Sequence, residues 1–392
     1  MRRVVVTGLG AVTPFGSGVK AYWAGLAAGT CAIRPLTVIE ADGFRCRIAA
    51  EVPEVSSGSR RRSRADRLAL GAVVEALDDA GLTAADRAEA ALVTGAVGGG
   101  MLEAEAWYWA RARGERPPGW AAALRAILPG SHAEALGHRL RLGGPRHTVV
   151  TACSSGAVAL AEAADLVADG VVDVAVAGGV DAMTRMCFMG FNALKLLDPE
   201  PCRPFDRDRR GMSIGEGAAF VVLEAAERAR ARGARVHAEL AGHGMTTDAF
   251  HVTAPEPEGE GMARAMCAAL AAAGVSPPAV GYVNAHGTAT PQNDRIEARA
   301  IARVFGEGGP LVSSTKSMIG HTMAAAGALE AIATILALTH ELIPPTATLV
   351  TPDPEVTFDC VPRVAREAAV ECAISNSFGF GGQNVTLLFR RI

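Results

Sequence analysis

His147-Thr148-Val149-Val150-Thr151-Ala152-Cys153-Ser154-Ser155-Gly156-Ala157-Val158-Ala159-Leu160 is the stretch on which the reading of this chain turns. The run from His147 to Ala152 predicts a strand, and the alanine-rich run from Ser154 to Asp169 predicts a helix. A strand feeding a helix through a turn of small residues is the repeating unit of α/β proteins. The turn also delivers Cys153 to the start of the helix. Unpaired backbone N–H groups and the positive end of the helix dipole favour a thiolate there. The competing reading of this segment alone is a structural cysteine in a packed strand–helix turn.

Outward from this turn the alternation continues. Strands are expected at 3–7, 91–94, 172–177 (ending in Gly178-Gly179), 218–223, 236–242, 280–284, 311–314, 372–376 and 384–389. Helices are expected at 19–28, 65–80, 261–273, 293–305 and, as a long final helix, 321–339. The pattern argues for sheets buried between helix layers. The letters show no short-period repeat. Two segments read as irregular surface: 55–67, with Arg60, Arg61, Arg62, Arg64 and Arg67, and 107–129, with Trp107, Trp109 and Trp120.

Composition narrows the function classes. The chain has 392 residues, 49% of them hydrophobic and 5% aromatic, enough for a large core in one fused unit or two domains. A net charge of −3 builds no field that draws nucleic acid or a membrane surface. No run of apolar residues reaches the length of a membrane span, and Met1-Arg2-Arg3-Val4-Val5-Val6 lacks a signal-peptide pattern, so a cytoplasmic protein is expected. The eight cysteines form no C-x-x-C pair, which predicts neither a disulfide framework nor a metal site.

Three further segments share the character of the Cys153 turn. Asn284-Ala285-His286-Gly287-Thr288-Ala289-Thr290-Pro291 places a histidine just past a strand end, where reactive groups usually sit. Ser313-Ser314-Thr315-Lys316-Ser317-Met318-Ile319-Gly320-His321 places another before an alanine-rich helix. There the dipole disfavours the protonated ring, so a neutral imidazole that donates a hydrogen bond is expected. Lys316 would be costly to bury unpaired, and Glu330, about two and a half turns along, is its candidate partner. Asn376-Ser377-Phe378-Gly379-Phe380-Gly381-Gly382 permits close backbone approach and could present N–H groups to an oxyanion. Taken singly, each has a bland reading: a satisfied histidine, a surface glutamate, a glycine-rich turn.

In this order the segments resemble the condensing enzymes of fatty-acid and polyketide synthesis, in the β-ketoacyl-carrier-protein synthase II-like branch. The likeness runs from Val4-Val5-Val6-Thr7-Gly8-Leu9-Gly10 through Arg203-Pro204-Phe205-Asp206 and Gly215-Glu216-Gly217 to the Phe378–Gly382 turn. It implies an α/β, thiolase-like five-layer αβαβα fold in two pseudo-symmetric halves. Residues 1–240 would carry the nucleophile and 241–392 the two histidines. It implies that Cys153 takes an acyl group from an acyl carrier protein, and that a malonyl thioester then decarboxylates and attacks it. His286 and His321 would hold the enolate, with Lys316 and Glu330 behind them. The N–H groups of Cys153 and Phe380 would hold the oxyanion, Phe380 being also the family's gating phenylalanine. Phe188, Phe191, Thr288, Thr290 and Phe378 would meet the substrate, with Met183, Met186 and Met189 beside the same pocket. No cofactor or metal is implied. A homodimer or a heterodimer with a related subunit is.

Acyl carrier proteins are acidic, so Arg60, Arg61, Arg64, Lys195 and Arg125 are candidate docking residues. The chain departs from the family's usual Arg-Asp-Gly-Phe at Arg209-Arg210-Gly211-Met212, and matches weakly over 107–129. Chain-length-factor subunits lack the cysteine, thiolases use a second one, and synthase III-type enzymes use a His/Asn pair. Three alternatives stay open. One is an acyltransferase to an oxygen or nitrogen nucleophile. Another is a non-catalytic carrier-protein-binding subunit. The third, a nucleotide-binding oxidoreductase, is opposed by Thr13 where G-x-G-x-x-G needs its third glycine.

Overall fold

The computed structural model describes residues 2–53 and 62–392. Its principal strands are β1 (Val4–Thr13), β2 (Ala91–Gly95), β3 (Arg146–Val149), β4 (Val174–Asp181), β5 (Gly217–Ala225), β6 (Ala238–Thr247), β7 (Val280–Asn284), β8 (Leu311–Ser313), β9 (Cys372–Gly379) and β10 (Gln383–Arg390). They run β8-β7-β9-β10-β6-β1-β5-β4-β2-β3 across one mixed sheet. Each half follows one plan, with its strands ordered third, second, fourth, fifth, first. In each, the second strand is parallel to the third and fourth, and the fifth is antiparallel to the fourth and first. The halves meet where β1 pairs antiparallel with β6, Val5 opposite Glu239 and Val6 opposite Ala238.

The helices are α1 (Arg64–Asp79), α2 (Met101–Ala112), α3 (Trp120–Ile127), α4 (Ser155–Ala168), α5 (Arg185–Ala193), α6 (Glu260–Ala273), α7 (Pro291–Phe305) and α8 (Ala326–His340). Helix α1 covers the outer face of β1 and β5, and α6, with α7 beside it, covers β6 and β10. Helices α4 and α8 pack together between the two half-sheets. The result is the five-layer αβαβα arrangement. Strand alternation sorts side chains between layers: Ala219, Val221 and Leu223 of β5 join α4 and α8 inside, while Ala218, Phe220 and Val222 join α1 outside. Each such large apolar side chain, fully buried, contributes about 1.5–3 kcal/mol. Residues 323–340 are long and apolar enough to cross a membrane, and here they are the covered middle layer.

Glycines set the layer spacing. A Cβ on Gly156 would lie 2.6 Å from the Ala324 carbonyl oxygen, and one on Gly327 would lie 2.7 Å from the Ala157 nitrogen, so α4 and α8 cross on each other's glycine. Gly10 lies against α1 and Gly244 against α6 in the same way, their Cβ positions 1.9 Å from the Ala72 oxygen and 2.1 Å from the Ala265 oxygen. The Gly8-Leu9-Gly10 stretch therefore serves helix packing.

Several expectations are corrected. The segment 107–129 is largely helical, in α2 and α3, because runs rich in alanine, a strong helix former, lie on either side of Pro117-Pro118-Gly119. Gly178-Gly179 lies within β4, where Gly179 lets the Ala324 turn come close. The final helix starts at Ala326, so His321 sits upstream of it, in a loop held by Ser213. The division expected between 240 and 241 falls inside β6.

Candidate active site

After β3 the chain enters a tight 3-10 turn, Ala152–Ser154, and then α4. Ala152 takes φ +50°, a backbone cost of roughly 1–3 kcal/mol for a residue with a Cβ. Hydroxyls hold the turn. Ser154 Oγ donates to the Thr151 carbonyl and Ser155 Oγ to the Ala152 carbonyl, both at 2.7 Å, and the Thr151 N–H donates back to Ser155 Oγ at 2.9 Å. The strained turn aims Cys153 into a cavity of about 370 Å³. Burial pushes its thiol up to about 12, against the opposing pull of the Lys316 charge and the Phe380 N–H on the sulfur. The resting group is therefore the thiol. The expected thiolate is not favoured, because loss of water outweighs the Lys316 charge and the Phe380 N–H.

His286 and His321 line the same cavity, their rings 5.3 Å apart and edge to face at 87°. His286 follows β7 in a loop whose His286 and Gly287 N–H groups both donate to Glu297 of α7 at 2.8 Å. Lys316 Nζ lies 3.3 Å from His286 Nδ1 and is ion-paired to Glu330. An ammonium only donates, so Nδ1 accepts and Nε2 carries the ring proton. Both ring nitrogens of His321 are buried and, among the described residues, unpartnered. The ordinary imidazole pKa is driven well down at both histidines, at each by burial first and then by Lys316; His321 adds to the effect at His286. Both are neutral, and the causes are burial and Lys316. Glu330 is fully inside, and burial raises it to about 7 against the attraction of Lys316.

Phe191, Thr288, Thr290, Phe378 and Phe380 all reach the cavity, with the Phe380 ring 5.7 Å from that of Phe191. Phe188 does not. It is fully buried against Phe44, because α5 turns it away from the opening. Met183 is buried beneath, and Met186 and Met189 point to the surface.

The docking candidates divide. Arg60 and Arg61 lie outside the described residues. Arg64 is not a surface cation: its guanidinium binds Glu216 and the Val52 carbonyl, since its place in the first turn of α1 carries it inward. Lys195 is exposed between Leu194 and Leu196, which line the cavity, and Arg125 is exposed on α3.

Two residues were missed. Glu297, raised to about 7 by burial, anchors the His286 loop. Its signal was an acid three residues after Asp294 on the apolar face of α7. Met212 lines the cavity, and its signal was the departure from the family's usual phenylalanine at that position. Among the described residues, no group of three His, Cys, Asp or Glu side chains is placed to hold a metal.

Residues 1–229 match the β-ketoacyl synthase N-terminal domain model and 237–350 the C-terminal domain model. The chain is 39% identical, over its full length and 98% of the relative, to a 3-oxoacyl-[acyl-carrier-protein] synthase 2 of Synechocystis. It is 41% identical to one of Rhizobium meliloti, over 99% of that protein. Among solved structures it is similar to a chain of the ishigamide ketosynthase/chain length factor, with TM-score 0.95, 39% identity and coverage of 100% and 99% of the two chains. It is also similar to a Burkholderia phymatum β-ketoacyl synthase, with TM-score 0.93, 34% identity and full coverage of both chains. A third match, at TM-score 0.91, 31% identity and coverage of 100% and 99%, is a chain in a type II polyketide synthase assembly of acyl-carrier protein and ketosynthase bound to a hexaketide.

Proposed function

The chain belongs to the β-ketoacyl synthase family, and from that premise we propose how its residues divide a decarboxylative condensation. Cys153 Sγ attacks the carbonyl of an acyl thioester borne by an acyl carrier protein. The new C–S bond forms as the carrier's C–S bond breaks, and the thiol proton leaves with the carrier's sulfur. The N–H groups of Cys153 and Phe380 face the oxyanion of this step. Phe380 already reaches the sulfur.

A malonyl thioester follows. Its C–C bond to the carboxylate breaks, carbon dioxide departs, and negative charge grows on the thioester oxygen. Two neutral rings suit that charge: His286 donates from Nε2, and His321 has no other partner for either nitrogen. The enolate carbon attacks the acyl-cysteine. The C–S bond to Cys153 breaks, the departing thiolate takes one proton from solvent, and a β-ketoacyl product two carbons longer stays on the carrier. Lys316 and Glu330 hold the His286 tautomer. The cysteine comes from the half built on β1–β5 and the histidines from the half built on β6–β10, so the site needs both.

Relatives solved with an acyl-carrier protein and with chain length factors support assigning this chain a carrier protein as partner and a homodimer or a heterodimer with a related subunit.

The observation that carries the reading is one buried thiol and two neutral histidines facing one cavity, with the ring nitrogens of His321 unpartnered. The test is intact-mass analysis with acyl- and malonyl-carrier protein, comparing wild type with Cys153→Ala. An acyl adduct on wild type alone, with a two-carbon-longer β-keto product, supports it. Loading without extension, in the presence of a candidate partner subunit, favours acyl transfer to another nucleophile. No loading at any chain length overturns it.

A further inference from the structure

The cavity has two chemically different sides. His286, His321, Thr288 and Thr290 line one, and Phe191, Leu196 and Met212 line another. An acyl tail attached to Cys153 gains by turning to the apolar side, at about 0.8 kcal/mol for each buried methylene. Behind that side lies a satellite cluster separate from the layered cores, including Cys46, Met183, Phe188 and Met323.

Met212 belongs to this cluster and also lines the cavity, with only 3% of its surface exposed. Its backbone is clamped. The Met212 N–H donates to the Leu196 carbonyl at 2.8 Å, and the Asp198 N–H donates to the Met212 carbonyl at 3.0 Å. Gly211 before it takes φ +150°, with its Cβ position 2.5 Å from the Leu196 oxygen. Ser213 after it accepts the His321 N–H at 2.7 Å. The main chain there cannot yield, so any accommodation falls to the Met212 side chain. That side chain is an unbranched thioether with three rotatable bonds, backed by the thioethers of Met183 and Met323.

We propose that Met212 is the residue that measures the acyl chain: its side chain forms the floor against which the tail of the Cys153-bound acyl group ends. This rests on the loading of Cys153 proposed above. The floor sets the longest chain that loads, and its soft thioether sets how sharply longer chains are refused. Replacing four side-chain heavy atoms by one frees room for about three chain atoms. Chains differ in two-carbon steps, so the limit moves by one step.

The experiment is intact-mass detection of Cys153 loading across a series of even-numbered saturated acyl-carrier proteins. Wild type is compared with Met212→Ala, Met212→Phe and Met212→Leu. The longest chain that loads rises by about two carbons in Met212→Ala, falls by about two or more in Met212→Phe and stays put in the near-isosteric Met212→Leu. The filled-site variants Met212→Phe and Met212→Leu decide the matter even where Met212→Ala fails to fold. An unchanged limit in Met212→Phe, or a lowered limit in Met212→Leu, overturns the proposal while wild-type loading stands. Failure of wild type to load any chain overturns the condensation reading itself, and this one with it.

Discussion

At the scale of single residues, the site works by burying titratable groups among one another. Lys316 lowers both histidines, so removing its charge moves their titration upward. Lys316→Met is expected to shift the acid limb of malonyl-thioester decarboxylation to higher pH, toward the ordinary histidine value of about 6.5. A pH–rate profile reads this directly; an unmoved limb means that burial alone keeps the rings neutral. Glu297 gives a second signature. Its folded carboxyl titrates at about 7, against about 4.5 unfolded, so between these values the folded state holds the extra proton. Stability contributed by that proton is present below about 4.5 and is lost as pH rises through 7. Glu297→Gln removes this slope. Chemical denaturation from pH 5 to 8 should show the variant gaining on wild type by at most about 1.4 kcal/mol per pH unit. Decarboxylation should fall at least tenfold, because the His286 loop loses a carboxylate acceptor. Cys153 loading should persist. His286 and Lys316 stand just past strand ends among small residues, and His321 follows in the same short segment, so all three were candidates from the sequence. Glu297 left a weaker mark, an acid on the apolar face of α7, and its role shows only once folding brings the His286 loop to it.

At the scale of elements, the crossing of α4 and α8 is the joint of the molecule. The two turns before these helices are equivalent: Thr151-Ala152-Cys153-Ser154-Ser155-Gly156-Ala157 superposes in pattern on Thr322-Met323-Ala324-Ala325-Ala326-Gly327-Ala328. Ala152 and Met323 take the same left-handed backbone, at φ +50° and +53°. Gly156→Ala forces its Cβ to 2.6 Å from the Ala324 oxygen, so the helices must part. We expect a loss of roughly 1–3 kcal/mol, measured as a lower denaturation midpoint at unchanged slope. Stability equal to wild type would mean that the crossing relaxes freely. Most elements were legible from periodicity. Among the exceptions, α2 and α3 were obscured by Pro117, Pro118 and Gly119 between them, and the start of α8 by a loop of helix-forming letters that tertiary contacts hold open.

At the scale of the whole molecule, charge position matters more than charge count. The five arginines at 60–67 read as one basic surface, yet Arg64 belongs to the interior, where its partner Glu216 is fully buried and also accepts the Val52 and Met183 N–H groups. Arg64→Ala strands that carboxylate and is expected to cost about 3–5 kcal/mol in denaturant titration. Lys195→Glu should leave stability within about 0.5 kcal/mol. It should raise KM for acyl-carrier protein severalfold at low ionic strength, and the difference should fade as salt screens it. An Arg64 variant of wild-type stability, or a Lys195 effect indifferent to salt, would reverse these assignments.

By itself the sequence determined the α/β class and most of the strand and helix order, through period and turn chemistry. It offered Cys153, His286, His321, Lys316 and Glu330 as candidates only through the family resemblance of the segments that hold them, taken together. Only the tertiary structure decided that two unlike-looking halves share one strand order and that Gly8 and Gly10 serve packing. It also decided that the cysteine rests as a thiol, that Arg64 is internal, and that Phe188 is withdrawn while Met212 is exposed to the cavity. Each of these depends on distance through space between segments remote in the chain, and on how far burial strips water from a charge, neither of which local sequence encodes.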